Sequence, residues 1–143
     1  MKTQLDTFVV RTSRKQEMID ITPDLADATR EAGIRNGFVG VFSQHTTAAV
    51  VVNEFQLALL SDMEDFLKRI VEDSLPYKHN SPEWSDCERG NATSHLRSLL
   101  FSNSVMLPVL DGKLVLGQFQ RLILAEFDGP RERTLKLQFL GDA

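Results

Sequence analysis

Closely spaced turn signals between β-favouring runs constrain this chain more than any other feature of its sequence. Val105 to Leu110 is followed by Asp111-Gly112, a strong two-residue hairpin signal, and the chain returns through Lys113 to Phe127. That return is long for one strand, so Gly117 is expected to mark a bulge or bend. Asp128-Gly129-Pro130 then turns the chain into Thr134 to Leu140, where Leu135, Leu137 and Phe139 alternate on one face. Strands joined this tightly pair antiparallel, because a parallel crossover needs a dozen or more connecting residues. The fold class is therefore α+β, a mostly antiparallel sheet with two to three helices.

The earlier part of the chain fills in the order. Gln4 to Thr12 opens as a strand, and Phe38 to Phe42 and Ala48 to Val52 are two more. Thr22 before Pro23 is expected to cap a first helix carrying Leu25, Ala28, Thr29 and Ala32 on one face, with Asn36-Gly37 as its stop. Leu60, Met63, Leu67 and Ile70 give the clearest helical period. Asn91 is expected to cap a short helix through His95, Leu96, Leu99 and Leu100. Between these helices, Ser74 to Gly90 lacks periodicity, and its Tyr77 and Trp84 call for a surface to pack on. The expected order is β-α-β-β-α-α-β-β-β.

At 143 residues the chain is the size of one domain, and no apolar run is long enough to span a bilayer. A net charge of -4 disfavours broad attraction to nucleic acid or an anionic membrane. Cys87 is the only cysteine, which excludes an internal disulfide and suggests a reducing, cytoplasmic setting.

The chemistry has two candidate sources. His45, His79 and His95 each lie in a polar context, and three imidazoles can ligate a divalent metal, zinc or magnesium, with a position left open. The same rings can bind phosphate oxygens or move protons near neutral pH. No pair has the spacing of a helical metal motif, so three unrelated surface or capping histidines fit the spacing as well. His95 falls in the first turn of its helix, where the dipole favours an anion.

The second source is carboxylates and an arginine turn. Glu54 ends a strand, whereas Glu126 sits in the apolar run Leu122 to Phe127, either on a solvated face or buried with a partner. Asp128 follows closely. Arg131 and Arg133 come after Gly129-Pro130, where a rigid turn can present a guanidinium to phosphate, and Ser43, Thr46 and Thr47 can add hydroxyls. No Walker loop, dinucleotide glycine pattern, paired-cysteine motif or nucleophile elbow is present.

Taken in order, these segments resemble the YjbQ-like family, also described as secondary thiamine-phosphate synthase. The matching residues are His45-Thr46-Thr47-Ala48, Asn53-Glu54, Tyr77, His79, Asn91 and His95-Leu96. The most specific stretch runs from Pro108-Val109 through Gly112, Leu116-Gly117, Phe119-Gln120 and Glu126 to Asp128-Gly129-Pro130-Arg131. Phe119 stands where the family usually has tryptophan, and Phe101 stands near an expected glycine.

The resemblance implies one α+β domain over residues 1–143, assembled as a homotrimer, with polar residues gathered near a subunit junction. It also implies the joining of a pyrimidine methyl diphosphate to a thiazole phosphate with release of pyrophosphate, as a secondary activity. His45, His79 and His95 would hold a metal or the diphosphate, and Glu54 or Glu126 would assist. Thr46, Thr47, Asn91, Asp128 and Arg131 would bind the small phosphorylated metabolite. Metal-assisted hydrolysis and a non-catalytic ligand-binding trimer are the alternatives.

Overall fold

Leu135, Leu137 and Phe139 are all buried, so one face of the final strand lies on the core, as its alternation predicts. In the computed structural model, which describes residues 1–143, this strand is β8 (Glu132–Asp142). It pairs with β1 (Lys2–Arg11) on one side and β3 (Asn36–Ser43) on the other. Strands β5 (Ser104–Leu110) and β6 (Lys113–Leu114) complete a five-stranded sheet in the order β1-β8-β3-β5-β6. A second sheet has the order β2-β7-β4, from β2 (Glu17–Asp20), β7 (Arg121–Glu126) and β4 (Ala48–Asn53). Every pairing in both sheets is antiparallel, and three α-helices complete an α+β fold.

The core lies between the sheets. Val39, Val41, Leu107 and Phe139 of the larger sheet meet Val50, Leu122 and Leu124 of the smaller. Helix α1 (Thr22–Ala32) closes one end of this core with Leu25. The other face of β7 carries Ile123 and Ala125, which pack with Met18, Phe127 and Leu67 of α2 (Leu57–Ile70). Covering β7 on both faces explains why Leu122 to Ala125 is continuously apolar rather than alternating.

Four local expectations change. The Lys113 to Phe127 run is two strands in different sheets, because Gly117 N–H donates to Gln120 Oε1 at 2.7 Å and turns the chain between them. Strand β2 escapes the sequence pattern because four residues are too few to show a period. Helix α1 ends at Gly33, whose φ of 71° is the left-handed stop, and Asn36-Gly37 instead begins β3. Thr22 lies inside the helix; Asp20 Oδ1 accepts its N–H at 3.0 Å, and its hydroxyl accepts Leu122 N–H at 2.8 Å, pinning α1 to β7.

Several apolar residues lack the cover their patterns suggest, Leu99 and Leu100 among them. Trp84 is exposed rather than packed, with Lys78 Nζ 4.9 Å from its ring centroid, and Ile70 is half-exposed at the end of α2. No helix is long and apolar enough to cross a membrane.

Candidate functional site

The end of the sandwich where β7 runs out is built on a buried ion pair. Glu126 and Arg133 are both fully buried, and Arg133 Nε lies 2.9 Å from each Glu126 oxygen, with a further bond from Nη2. Glu126 Oε1 also accepts from the Thr12 hydroxyl at 2.7 Å, and Oε2 accepts from Asp128 N–H at 3.2 Å. Arg133 Nη2 donates to Thr47 Oγ1 at 2.8 Å. The carboxylate is therefore saturated and sealed, as a buried charge must be. Both Glu126 oxygens, expected to assist catalysis, are thus taken up within the fold, and the Thr47 hydroxyl, expected to bind substrate, is taken up by Arg133. The adjoining turn is equally tight, since a Cβ on Gly129 would lie 2.2 Å from the Arg14 carbonyl.

His45 flanks this pair. Thr134 N–H donates to His45 Nε2 at 2.8 Å, which only a neutral ring can accept, so the proton sits on Nδ1. Burial first, then the positive charge of Arg133, hold its pKa below the ordinary 6.5 against an opposing pull from Glu126, with Arg131 adding the least. A lowered histidine pKa contributes stability above the unfolded value and loses it as pH falls through the folded value. Urea unfolding should therefore show stability falling from pH 7 towards pH 5. His45→Ala should be less stable at pH 7 but lose less over that range, and equal slopes would remove His45 as the source.

His79 and His95 meet elsewhere. A single 3-10 turn over Lys78–Asn80 is anchored to helix α3 (Ala92–Leu99) because Asn80 Oδ1 accepts Ala92 N–H at 2.9 Å. Asn80, not Asn91, thus supplies the side-chain cap. Ser94 Oγ donates to the Phe127 carbonyl at 2.6 Å and fixes α3 against the end of β7. The two imidazoles come edge to face with centroids 4.9 Å apart. With Tyr77, Lys78, Ala92 and Leu96 they line a cavity of about 310 Å³.

Behind His79 runs a hydrogen-bond relay whose directions are forced. Asp128 accepts from Arg89 Nε at 2.8 Å and from Asn91 Nδ2 at 2.9 Å, since a carboxylate has no proton to give. Asn91 Oδ1 must then face His79 Nε2, 3.0 Å away, and accept its proton. The neutral His79 ring consequently keeps its lone pair on Nδ1. Burial pushes the Asp128 carboxyl up, but the bonds from Arg89 and Asn91 more than reverse this and hold it below its ordinary value. Burial and the neighbouring His79 lower the His95 pKa. Asn91 and Asp128, expected to bind substrate, are buried and act on the site through His79.

Of the remaining expected residues, Thr46 and Glu54 are exposed and neither lines the His79–His95 cavity. Arg131 is half-buried between the two histidine regions, where its charge acts on both His45 and Asp128. No three His, Cys, Asp or Glu side chains of the chain are disposed to hold a metal ion. His45, His79 and His95 therefore do not form a metal cluster within one chain: His45 spends its ring nitrogen on the β8 backbone, while the other two belong to the α3 pocket. Lys78, Asn80 and Arg89 escaped the sequence reading; their place in the aperiodic loop beside His79 was the one available signal.

Comparison with known proteins finds similarity along nearly the whole chain. The family model described as UPF0047 protein YjbQ-like matches residues 6–142. The chain belongs to the YjbQ-like UPF0047 family. A UPF0047 protein of Methanothermobacter thermautotrophicus is 39% identical over 141 residues, covering 99% of this chain and 94% of that protein. The UPF0047 protein YugU of Bacillus subtilis is 33% identical, covering 96% and 99% respectively. Among solved structures, a YbjQ-like protein of unknown function from Sulfolobus solfataricus superimposes with a TM-score of 0.89 at 36% identity, covering 99% of each chain. A hypothetical protein of Aeropyrum pernix gives 0.87 at 36% identity, covering 97% of this chain and 99% of its own.

Proposed function

We propose that this YjbQ-like chain is an enzyme acting on a small phosphorylated metabolite at the His79–His95 pocket, with thiamine phosphate formation as the named activity. The observation that carries the reading is the Arg89–Asp128–Asn91 relay, which holds His79 in one tautomer beside a second imidazole. Structural histidines need no such buried support, whereas a catalytic ring must present one defined nitrogen. Negative charge grows on the leaving diphosphate as its bond to the pyrimidine methyl group breaks. Lys78 and His95 line the pocket and are suited to stabilise that charge. Incubating the protein with the pyrimidine methyl diphosphate and the thiazole phosphate should release pyrophosphate and form thiamine phosphate. No product from either substrate order would reject the synthase reading and favour a binding module.

The expected assembly is a homotrimer. Supporting closed association, the outward face of the larger sheet exposes Phe38, Phe42, Met106 and Leu110 on the neighbouring strands β3 and β5, with Leu5 and Val9 on β1 across β8. Apolar patches of this kind are seldom left open on a monomer. Light scattering at micromolar concentration should give three times the chain mass of 16.1 kDa. A monomeric mass would rule the trimer out.

A further inference from the structure

The segment from Gly112 to Gln120, part of the most specific stretch of the family resemblance, takes no part in the histidine pocket. It borders a cavity of about 590 Å³ set between the end of α1 and the β5–β6 hairpin. The two cavities share no residue and lie at opposite ends of the sandwich. Eight-residue β3 alone spans roughly 25 Å between those ends.

This cavity has an apolar floor and a cationic rim. Ala26, Leu114 and Leu116 line it together with Arg30, Arg35 and Lys113. Arg30 bonds Asp27 at 2.6 Å and Arg35 approaches Asp111 at 3.4 Å, but all four side chains are exposed. Exposed ion pairs contribute little and are readily exchanged for a better partner. Lys113 has no ion pair. With Asp111 against Arg35 and Asp27 against Arg30, one positive charge is left over, that of Lys113. That free ammonium, with two guanidinium groups held only by exchangeable pairs, suits a phosphate monoester, and the guanidinium fork fits its oxygens. The volume is that of a small-molecule site.

We propose that this cavity is a second ligand site, which binds a phosphate monoester through Arg30, Arg35 and Lys113 and seats an apolar body against Ala26, Leu114 and Leu116. It stands independently of the histidine pocket. The test is an amide NMR titration of the full chain with phenyl phosphate and, separately, inorganic phosphate. Saturable shifts should centre on Arg35 and on Gly112 to Leu114, and phenyl phosphate should bind more tightly than inorganic phosphate. Arg35→Ala and Lys113→Ala should each weaken phenyl phosphate by about tenfold or more, the scale of one charge-assisted hydrogen bond. Lys68→Ala, on the exposed face of α2, should change nothing. Shifts centred on His79 and His95, no saturation, or an equal loss from Lys68→Ala would each overturn the proposal.

Discussion

Glu126→Ala should lower the melting temperature by on the order of 10 °C or more, the largest stability effect expected of any single change near the site. Removing one member of a buried pair leaves the other charge uncompensated and costs roughly 3–5 kcal/mol. In a domain of this size each kcal/mol corresponds to about 2–5 °C. Arg133 would keep only its bonds to Thr47, and the Asp128 N–H would lose its acceptor, while the Thr12 hydroxyl would keep only the Arg131 carbonyl. Glu126→Gln should fall between wild type and Glu126→Ala, because an amide oxygen still accepts from the guanidinium. Replacing both partners together, Glu126→Leu with Arg133→Met, should recover much of the loss, since no buried charge is then left unpaired. Thermal unfolding followed by circular dichroism distinguishes these outcomes. A Glu126→Ala chain that melts within a degree or two of wild type would show that the pair contributes nothing net.

His95→Ala should reduce pyrophosphate release by about a hundredfold or more, the usual scale for losing an electrostatic donor at a reacting group. The melting temperature should move by only a few degrees, because the partly buried ring lines a pocket on α3 and belongs to neither apolar core. Asn91→Ala should give a smaller loss and an altered pH profile. With Oδ1 gone, nothing holds the His79 proton on Nε2 and the ring can present either nitrogen. A histidine that merely packs predicts a different pattern, in which stability falls and activity follows it. Measuring melting temperature, pyrophosphate release and its pH dependence on the same preparations separates the two. Full activity in a well-folded His95→Ala chain would remove His95 from the site.

The antiparallel α+β class was legible from local signals alone. Asp111-Gly112 and Asp128-Gly129-Pro130 are turn chemistry, and the alternation of Leu135, Leu137 and Phe139 is a period of two. Both depend on residues a few positions apart, so the sequence displays them directly. The His79–His95 pair was half legible: the residue types stood out, but their spacing carries no helical or strand period. What joins them is Asn80 capping α3 across twelve positions, a contact formed only once the loop folds back.

The tertiary structure alone decided which charged residues are functional candidates and which hold the fold together. Glu126 and Asp128 look alike in sequence, two residues apart at the end of one apolar run. Strand alternation sends the first into the sealed pair with Arg133, whereas the turn brings the second to Arg89 and Asn91 behind His79. The same holds for the histidines. His45 accepts a hydrogen bond from a backbone group 89 positions away at Nε2, and His79 donates to Asn91 from Nε2, so the free Nδ1 carries the proton in the first ring and the lone pair in the second. A tautomer is set by the partner on the far side of the ring, and that partner is chosen by packing between distant segments. The local sequence around a histidine contains no trace of it.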